Sequence, residues 1–349
     1  MTDISVVIPA FNPQMVDLER CIDSVLRGAS LSLQVIVVDD GSQAGCAEAW
    51  RMAESKGATV KVVHQVNSGV SAARNKGLSL SEGRYVTFVD SDDAVADGWL
   101  GTAYAKAEET GADIVYGRVL MCSGLECETM RRMPTVHAAT WLEFGRTSRD
   151  IVRGELMKDR SRLLPGLDHL DHGPCAKLFR RSVLEGVAFP PGIRYSEDQV
   201  FNHLALEKSG LCLVTDMLAY YYISNGRSAT HSAVRGIVED MMESLRLIRA
   251  TIPDMEAVRG AFALRTLFDA WMGFGMEFFR PDAIRTTLRE KISFWRRLRS
   301  TPLMRDALAC PVSKTGDGFG TRVKFFVLKR FPVASVVCKA LKSRLWGCR

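Results

Sequence analysis

The first part of the chain alternates short apolar runs with segments in which apolar residues recur at helical spacing. The runs are rich in β-branched and aromatic residues, which favour strands. They lie at Ile4 to Ile8, Leu33 to Val38, Val60 to His64 and Tyr85 to Val89. The intervening segments predict helices, and strands that are apolar throughout are typical of a parallel sheet with helices on both faces. The pattern therefore predicts an α/β fold.

Further elements extend this pattern before it changes. They are a helix at Trp99 to Glu109 and strands at Asp113 to Tyr116, Leu211 to Val214 and Met217 to Ile223. Residues 117–172 have no regular period, and we assign no element there. From about Val234 the apolar spacing is helical. We therefore predict an α/β domain over residues 1–231 and a helical C-terminal region over residues 232–349.

Composition narrows the class of protein. The 349 residues carry a formal charge of +6, with 47% hydrophobic and 25% charged residues, which are ordinary values for a globular protein. This mild positive charge suits phosphorylated substrates or an anionic membrane surface, and no nucleic-acid-binding motif accompanies it, so we expect no nucleic acid partner. The nine cysteines are scattered, and neither a secretory leader nor a run of eighteen apolar residues is evident. We expect a cytoplasmic protein, at most peripheral at the inner face of the cell membrane.

Polar residues follow three of the predicted strands at the point where each strand ends. They are Phe11-Asn12, Asp39-Asp40-Gly41-Ser42 and Asp90-Ser91-Asp92-Asp93. Because the carboxyl ends of parallel strands meet at one edge of a sheet, we expect these segments to line one crevice, where open α/β folds bind ligands. Asp, Asn, Gly and Ser are also ordinary turn residues, so turn chemistry alone would account for each segment.

The third of these segments has the chemistry of a metal site. Asp90, Asp92 and Asp93 lie on one tight turn, so their oxygens can converge on a hard divalent cation such as Mg²⁺ or Mn²⁺. The alternative is a strand followed by an acidic turn and a helix N-cap. An EF-hand fits badly, because Ala94 stands at the fifth position of such a loop. Dinucleotide-binding and P-loop proteins are disfavoured, since no glycine-rich phosphate loop follows the first strand.

A second acidic pair opens a helix further along the chain. Ser196 precedes Glu197 and Asp198, and apolar residues follow at helical spacing. The alternative is plain capping, because acids in a first turn are favoured by the helix dipole.

A histidine pair at His169 and His172 is interpreted as a solvated loop, since its spacing matches no helical ligand pair.

Together these motifs resemble family-2 glycosyltransferases of the GT-A fold, of the bacterial type that builds polysaccharides. The resemblance covers roughly residues 4 to 231, with motif order and spacing preserved. The segments that carry it are Pro9 to Asn12, Val37 to Ser42, Asn67 to Asn75, Phe88 to Asp93, Glu197-Asp198 and Leu218 to Thr230. It implies a Rossmann-like, mostly parallel sheet with helices on both faces, followed here by the helical region.

The resemblance also implies roles for individual residues. Nucleotide-sugar binding is expected at Pro9, Phe11, Asn12, Asp40, Arg74, Asp92 and Lys177. A divalent metal, Mn²⁺ or Mg²⁺, is expected at Asp92, Asp93, Asp90 and His231. In this scheme Asp40 would accept from the uracil ring, Lys177 would touch the diphosphate, and Asp90 would support the turn. An exposed lysine at 177 and a surface histidine at 231 are the alternatives.

The chemistry implied is an inverting transfer from a nucleotide-diphosphate sugar, usually a UDP-sugar. Asp198 would be the base that takes the proton of the acceptor hydroxyl, with Glu197 as the next candidate. A helix N-terminus lowers a carboxyl pKa and a neighbouring acid raises it, so the sequence leaves the pKa of Asp198 open. The acceptor would be a glycan or a polyprenyl-linked glycan. The alternatives are a noncatalytic nucleotide-sugar-binding scaffold of the same fold and a sugar-1-phosphate nucleotidyltransferase.

The segment from Arg322 to Arg349 is basic and amphipathic and contains no acid. Its interspersed Phe, Leu, Val and Trp residues suit an anionic membrane surface. The alternative is an ordinary pair of terminal helices with a solvated basic face. Pro332 is expected to break the segment into two helices.

Overall fold

The computed structural model describes residues 2–27, 31–123, 139–157, 167, 170–224, 235–252, 258–280, 283, 286–311 and 319–346. Its described strands form one sheet, in the order β3-β2-β1-β4-β8-β6-β9-β5 with β7 beside β9. The strands are β1 (Ile4–Ala10), β2 (Leu33–Asp39), β3 (Val60–His64), β4 (Tyr85–Phe88), β5 (Ala94–Val95), β6 (Ile114–Ser123), β7 (Trp141–Gly145), β8 (Lys177–Arg180) and β9 (Leu211–Ser224).

Helices surround this sheet and then continue beyond it. The helices are α1 (Met15–Leu26), α2 (Ala47–Ser55), α3 (Val70–Ser79), α4 (Trp99–Thr110), α5 (Arg149–Leu156), α6 (Glu197–Lys208), α7 (Ile237–Thr251), α8 (Arg259–Phe279), α9 (Leu288–Arg299), α10 (Pro302–Ala309), α11 (Phe319–Arg330) and α12 (Pro332–Trp346). Among the residues with described placement, no helix is both long enough and apolar enough to cross a membrane.

The four N-terminal strands are parallel, as predicted. All seven residues of β1 are buried, because β1 lies between β2 and β4 and both faces of the sheet are covered. Val6 packs into the cluster that includes α1, α2 and α4, whereas its neighbour Val7 packs into the cluster that includes α5 and α6. Alternate side chains of a strand point to opposite faces, so one apolar run supplies two cores. The predicted α/β fold is confirmed.

The structure corrects the two short strands predicted near residue 217. Leu211 to Ser224 form one strand, β9, which pairs in parallel with β6 along most of its length. The register shifts beside Arg118, where the polar Thr215 and Asp216 interrupt the apolar pattern of β9. The unassigned segment also contains structure, because β6 extends to Ser123 and both β7 and α5 lie between residues 141 and 156.

The helical region has a core of its own. Phe274, Trp295, Met304 and Val336 belong to a cluster built from α7 to α12. A second cluster joins Val200 of α6 to residues of α7 and α8. The helical region therefore packs against the helix that begins with the predicted acidic pair. The division at residue 231 stays a prediction.

Candidate active site

The acidic turn lies directly after the central strand β4. Its backbone closes with a bond from the N–H of Asp93 to the carbonyl of Asp90 (3.1 Å). Helix α1 supports it from the side, since Arg20 Nη2 donates to the carbonyl of Asp92 (2.7 Å). The turn leads into strand β5 and not into a helix, because α4 begins only at Trp99. The helix N-cap interpretation of this turn is therefore wrong.

Asp93 is the buried member of the turn. Its Oδ2 accepts from the hydroxyl of Tyr220 (2.7 Å) and its Oδ1 accepts from the N–H of Ile223 (2.7 Å), both on β9. Burial, followed by the charges of Asp90 and Asp92, raises the pKa of Asp93 to about 8. Both oxygens thus tie β9 to the turn, which does not favour the direct metal coordination expected of Asp93. Asp90 and Asp92 are the partly exposed members.

Arg74 connects this turn to the second acidic pair. From α3, its Nη2 donates to Asp90 Oδ1 (2.9 Å) and its Nη1 donates to Glu197 Oε1 (3.0 Å). The guanidinium is buried and lies over the ring of Phe189, 5.3 Å from the ring centre. The two acids lie on either side of Arg74 and raise its pKa despite burial. The expected contact of Arg74 with a nucleotide stays a prediction, and its observed role is to hold two acidic segments together.

The acidic pair starts helix α6 in an unusual way. Ser196 has a positive φ of 64°, and among the described residues its side chain makes no capping bond. Asp198 Oδ1 instead accepts from the N–H of Gln199 (2.7 Å). Ser196 therefore does not cap α6, but Glu197 and Asp198 do lie in the first turn, where the helix dipole favours acids, so this part of the alternative interpretation holds.

The structure resolves the question that the sequence left open about Asp198. Burial and the adjacent charge of Glu197 raise its pKa to about 7, while Arg74, the bond from Gln199 and Arg265 oppose this shift. Burial also raises the pKa of Glu197, against the nearby charge of Arg74. A carboxyl group that titrates near neutrality is suited to accept a proton at physiological pH.

The loops after β1 and β2 are closely joined. Asn12 has a φ of 46°, donates its N–H to Ser42 Oγ (2.8 Å), and accepts from the N–H of Gln43 (2.8 Å). Gly41 has a φ of 72°, and a Cβ there would lie 2.6 Å from the backbone nitrogen of Asn67. Phe11 is 54% exposed beside these loops. Pro9 lies within β1, opposite Val38.

Asp40 organises the segment before α3. Its Oδ1 accepts from the N–H of Ser68 (2.8 Å) and from Gln65 Nε2 (2.8 Å), and its Oδ2 accepts from the N–H of Gly69 (2.8 Å). These bonds fix the chain that leads into the helix of Arg74. The predicted contact between Asp40 and a uracil ring stays a prediction.

Lys177 is buried, so its interpretation as an exposed lysine is wrong. Its ammonium donates to the carbonyls of Asp171 (3.0 Å), Cys175 (3.3 Å) and Gly173. The lysine thereby shapes the loop before β8, and this loop lies beside α6, because Asn202 Nδ2 donates to the carbonyl of Gly173 (3.0 Å). A diphosphate contact for Lys177 stays a prediction.

The metal prediction can be tested against the residues present. The part of the chain with described placement contains no group of three His, Cys, Asp or Glu side chains that could hold a metal ion. His231 and His169 lie outside the described residues. Asp90 and Asp92 nevertheless fit a site of the type in which one or two carboxylates bind Mg²⁺ and substrate phosphates and water complete the shell.

Three structural contacts were not predicted from the sequence. Tyr220 was assigned only as part of a strand, yet its hydroxyl donates to Asp93 and accepts from the N–H of Asp90 (3.0 Å). Asp39 Oδ2 lies 2.7 Å from His64 Nδ1, although its motif had drawn attention to Asp40. Arg20 had no signal beyond its position in an amphipathic helix. Each contact joins residues far apart in sequence, which a local pattern does not encode.

Comparison of the sequence with models of protein families identifies the family of this chain. The model described as glycosyl transferase family 2 matches residues 5–187, more than half of the chain. The chain belongs to glycosyl transferase family 2. The matched segment contains the acidic turn and Arg74, and it ends before Glu197 and the helical region.

Several glycosyltransferases are similar in sequence. A poly(ribitol-phosphate) beta-glucosyltransferase from Bacillus spizizenii is 29% identical over 263 residues, which cover 70% of this chain and 37% of that protein. TarP, a poly(ribitol-phosphate) beta-N-acetylglucosaminyltransferase from Staphylococcus aureus, is 26% identical over 240 residues, 67% of each chain. EpsJ, a glycosyltransferase from Bacillus subtilis, is 27% identical over 250 residues, which cover 69% of this chain and 66% of EpsJ. The chain thus spans less than two thirds of EpsJ and of the Bacillus spizizenii protein.

Solved structures extend the likeness to the helical region. The crystal structure of S. aureus TarS 1-349 in complex with UDP-GlcNAc has a TM-score of 0.64 and 20% identity, and the match covers 98% of this chain and 89% of that one. The same fragment in complex with UDP has a TM-score of 0.59. The GT-A fold and the helical C-terminal region expected from the sequence are confirmed.

Proposed function

We propose that this protein is an inverting glycosyltransferase that moves a sugar from a UDP-sugar to a glycan or polyprenyl-linked acceptor in cell-surface polysaccharide synthesis. The observation that carries the proposal is the bridge made by Arg74. One buried guanidinium binds Asp90 of the acidic turn and Glu197 beside Asp198. It therefore joins the segment suited to a metal and the segment suited to a base in one site.

The comparisons support this choice of donor and acceptor class. TarS has been crystallised with UDP and with UDP-GlcNAc, and two similar enzymes act on poly(ribitol-phosphate). We infer a UDP-sugar donor and an acceptor on a growing surface polymer.

In the proposed reaction Asp198 takes the proton of the acceptor hydroxyl. The acceptor oxygen forms a bond to the anomeric carbon as the bond from that carbon to the diphosphate breaks, and the bonding electrons leave with the diphosphate. With a pKa of about 7, the Asp198 carboxyl is about half ionised at neutral pH. A divalent metal held by Asp90 and Asp92 would neutralise charge on the departing diphosphate.

Donor hydrolysis over a panel of nucleotide sugars tests the proposal. We expect UDP release with one or a few UDP-sugars and little with GDP- or CDP-sugars. UDP-sugar binding without hydrolysis, and without transfer to glycan acceptors, would favour a noncatalytic scaffold of the same fold. Release of pyrophosphate from UTP and a sugar 1-phosphate would favour a nucleotidyltransferase instead.

We further propose that helix α11 places the protein at an anionic membrane surface. Val323, Phe326, Val327 and Phe331 expose between 37% and 53% of their surface. The first three lie on one helical face, and Lys329 and Arg330 follow in the last turn. Basic residues near an anionic leaflet contribute about 1 kcal/mol each, and shallow burial of the apolar face would add to this.

Helix α12 has a different environment. Its Val336 is fully buried in the core of the helical region, and its Lys339 donates to the carbonyl of Trp271 on α8 (2.9 Å). The chain changes from α11 to α12 at Pro332, as predicted. Truncation of both helices would remove part of this core, so substitutions on α11 are the better test.

Co-sedimentation with vesicles measures this contact. We expect the parent protein to pellet with phosphatidylglycerol vesicles at low salt and to be partly released at high salt. Phe326→Ser combined with Phe331→Ser should remain in the supernatant. Met121→Ser removes a similarly exposed apolar side chain from β6 and should pellet like the parent. Equal pelleting of all three proteins would exclude α11 as the membrane contact.

A further inference from the structure

Buried charges lie where the helical region meets the proposed base. Arg265 of α8 is 7% exposed, and its Nε donates to Asp269 Oδ2 (2.8 Å), one turn further along the helix. Asp269 is completely buried. Buried ion pairs rarely add net stability compared with apolar side chains of the same size, so this pair calls for another explanation.

Arg265 faces the loop formed by residues 170–175. Its Nη1 lies 3.4 Å from His172 Nε2. Asn202, one turn after Asp198 on α6, holds the same loop, because its Nδ2 donates to the carbonyls of His172 (2.6 Å) and Gly173 (3.0 Å). A Cβ added at Gly173 would lie 3.9 Å from Asp198 Oδ2. The loop that Arg265 contacts therefore runs alongside the carboxyl group of the base.

Charged and titratable groups approach Asp198 from four elements. They are Glu197 on α6, Arg74 on α3, Arg265 on α8 and Asp171 on the loop, where the neighbouring His172 contacts Arg265. Arg74 already binds two carboxylates, whereas Arg265 brings its charge from the helical region. Both arginines lower the pKa of Asp198, against the effects of burial and Glu197.

We propose that Arg265 is a positioning residue for Asp198. It holds the 170–175 loop beside the carboxylate through His172, and it supplies positive charge to the buried start of α6. This inference rests on the proposed role of Asp198 as the base. It makes α8, which lies outside the segment matched by the family model, a part of the active site.

The test needs variants that fold. Arg265→Gln alone would strand the buried carboxylate of Asp269, which can cost about 3 to 5 kcal/mol. The double variant Arg265→Gln/Asp269→Asn removes both charges and keeps two side chains that can hydrogen-bond. Arg265→Lys keeps the charge. Arg246→Gln is the matched control, because it removes an arginine from the exposed surface of the neighbouring helix α7.

The readout is the pH dependence of kcat/KM. Arg265 has the smallest effect of the three charges that act on the pKa of Asp198, and Asp269 is not among these charges. The double variant should therefore raise the pKa of Asp198 and move the acidic limb up by at most about 0.5 unit. The rate should fall most below pH 7, by at most about 3-fold, and recover at higher pH. The KM for the donor should change little. In Arg265→Lys the acidic limb should lie close to its pH in the parent protein, and Arg246→Gln should not shift it.

A second measurement does not depend on turnover. Carbon-13 NMR of aspartate-labelled protein, assigned by comparison with Asp198→Asn, gives the pKa of Asp198 directly. An upward shift in the folded double variant supports the inference even if no transfer is found. An unchanged pKa together with an unchanged acidic limb would overturn it. Full transfer by Asp198→Asn would instead overturn the role of Asp198 as the base, and the absence of transfer or hydrolysis by the parent protein with every UDP-sugar would overturn the proposed function, so these failures are distinguishable.

Discussion

The turn after β4 and the first turn of α6 each contain two adjacent acids, and in both the structure separates the pair. In the β4 turn, Asp93 is buried and bound by β9, while Asp92 is partly exposed. In α6, Glu197 is buried and bound by Arg74, while Asp198 is partly exposed. One acid of each pair is therefore bonded to a distant segment of the chain, and the proposed chemistry uses the other. Two adjacent acids in the sequence do not by themselves indicate which of them is buried.

The two partly exposed acids also differ in their surroundings. Although Asp198 keeps some exposure, the loss of water around its carboxyl group and the charge of Glu197 outweigh the nearby arginines and raise its pKa to about 7. Asp92 lies in a turn with two other carboxylates, where a divalent cation would relieve the repulsion among them. On this contrast we base the proposal of proton transfer by the α6 pair and of metal binding by the turn. The following predictions test the assignment.

The largest effect is expected at Asp198. Asp198→Asn keeps the shape of the side chain and removes the proton acceptor, so transfer should fall by about 10²- to 10⁴-fold. UDP affinity, measured by isothermal titration calorimetry, should be unchanged. Glu197→Gln is the comparison from the same pair and should alter stability more than chemistry. If Asp198→Asn transfers sugar at the parental rate, the base lies elsewhere.

The pH dependence of the parent enzyme follows from the same assignment. Asp198 must be ionised to accept a proton, and its pKa is raised to about 7. The value of kcat/KM should therefore fall about tenfold for each pH unit well below 7. This acidic limb should disappear from the residual activity of Asp198→Asn. A limb near pH 4 would contradict the role assigned to the buried surroundings of Asp198.

Removal of the metal should have the next largest effect. We expect EDTA to abolish turnover, and Mn²⁺ or Mg²⁺ to restore it. Asp92→Asn should reduce transfer by about 10²- to 10³-fold, as for loss of one electrostatic stabiliser of a transition state. Metal-dependent UDP binding should weaken in parallel. Full activity in the presence of EDTA would show that transfer needs no metal, and the turn after β4 would then have a structural role.

Arg74 joins the two acidic segments, so its substitution should affect both. Arg74→Lys keeps a positive charge but cannot bind both Asp90 and Glu197 with the geometry of a guanidinium. Misplacement of the turn relative to α6 should reduce kcat by up to about 10²-fold. Thermal unfolding should show lower stability, because a buried network loses bonds. Arg20→Lys, which weakens support of the turn alone, should have the smaller effect on kcat.

The smallest effect is expected at Asp93. Asn in its place can still accept from the N–H of Ile223, so the unfolding free energy should fall by about 1 to 2 kcal/mol. Turnover should fall much less than in Asp92→Asn, since both Asp93 oxygens serve β9. Parallel metal titrations of the two variants provide the measurement. If metal-dependent UDP binding is lost in Asp93→Asn and retained in Asp92→Asn, Asp93 is the metal ligand.

The sequence by itself determined the parallel half of the sheet and the positions of both acidic pairs. Apolar strand runs and the helical spacing between them are local patterns, and the ends of parallel strands must share one edge. The sequence was therefore sufficient to locate the polar residues that follow these strands. The sequence pattern predicts two strands where the structure has one, Leu211–Ser224. The polar Thr215 and Asp216 interrupt the apolar pattern of this strand, although its pairing with β6 continues beyond them.

Only the tertiary structure decided which acid in each pair is buried. That outcome depends on Tyr220 and Ile223 reaching the β4 turn from β9, and on Arg74 reaching α6 from α3. It also depends on α8 bringing Arg265 to the loop beside Asp198. These contacts join segments separated by dozens of residues. A carboxyl pKa is set by burial and by such distant charges, so no local pattern could have fixed the value near 7 at Asp198.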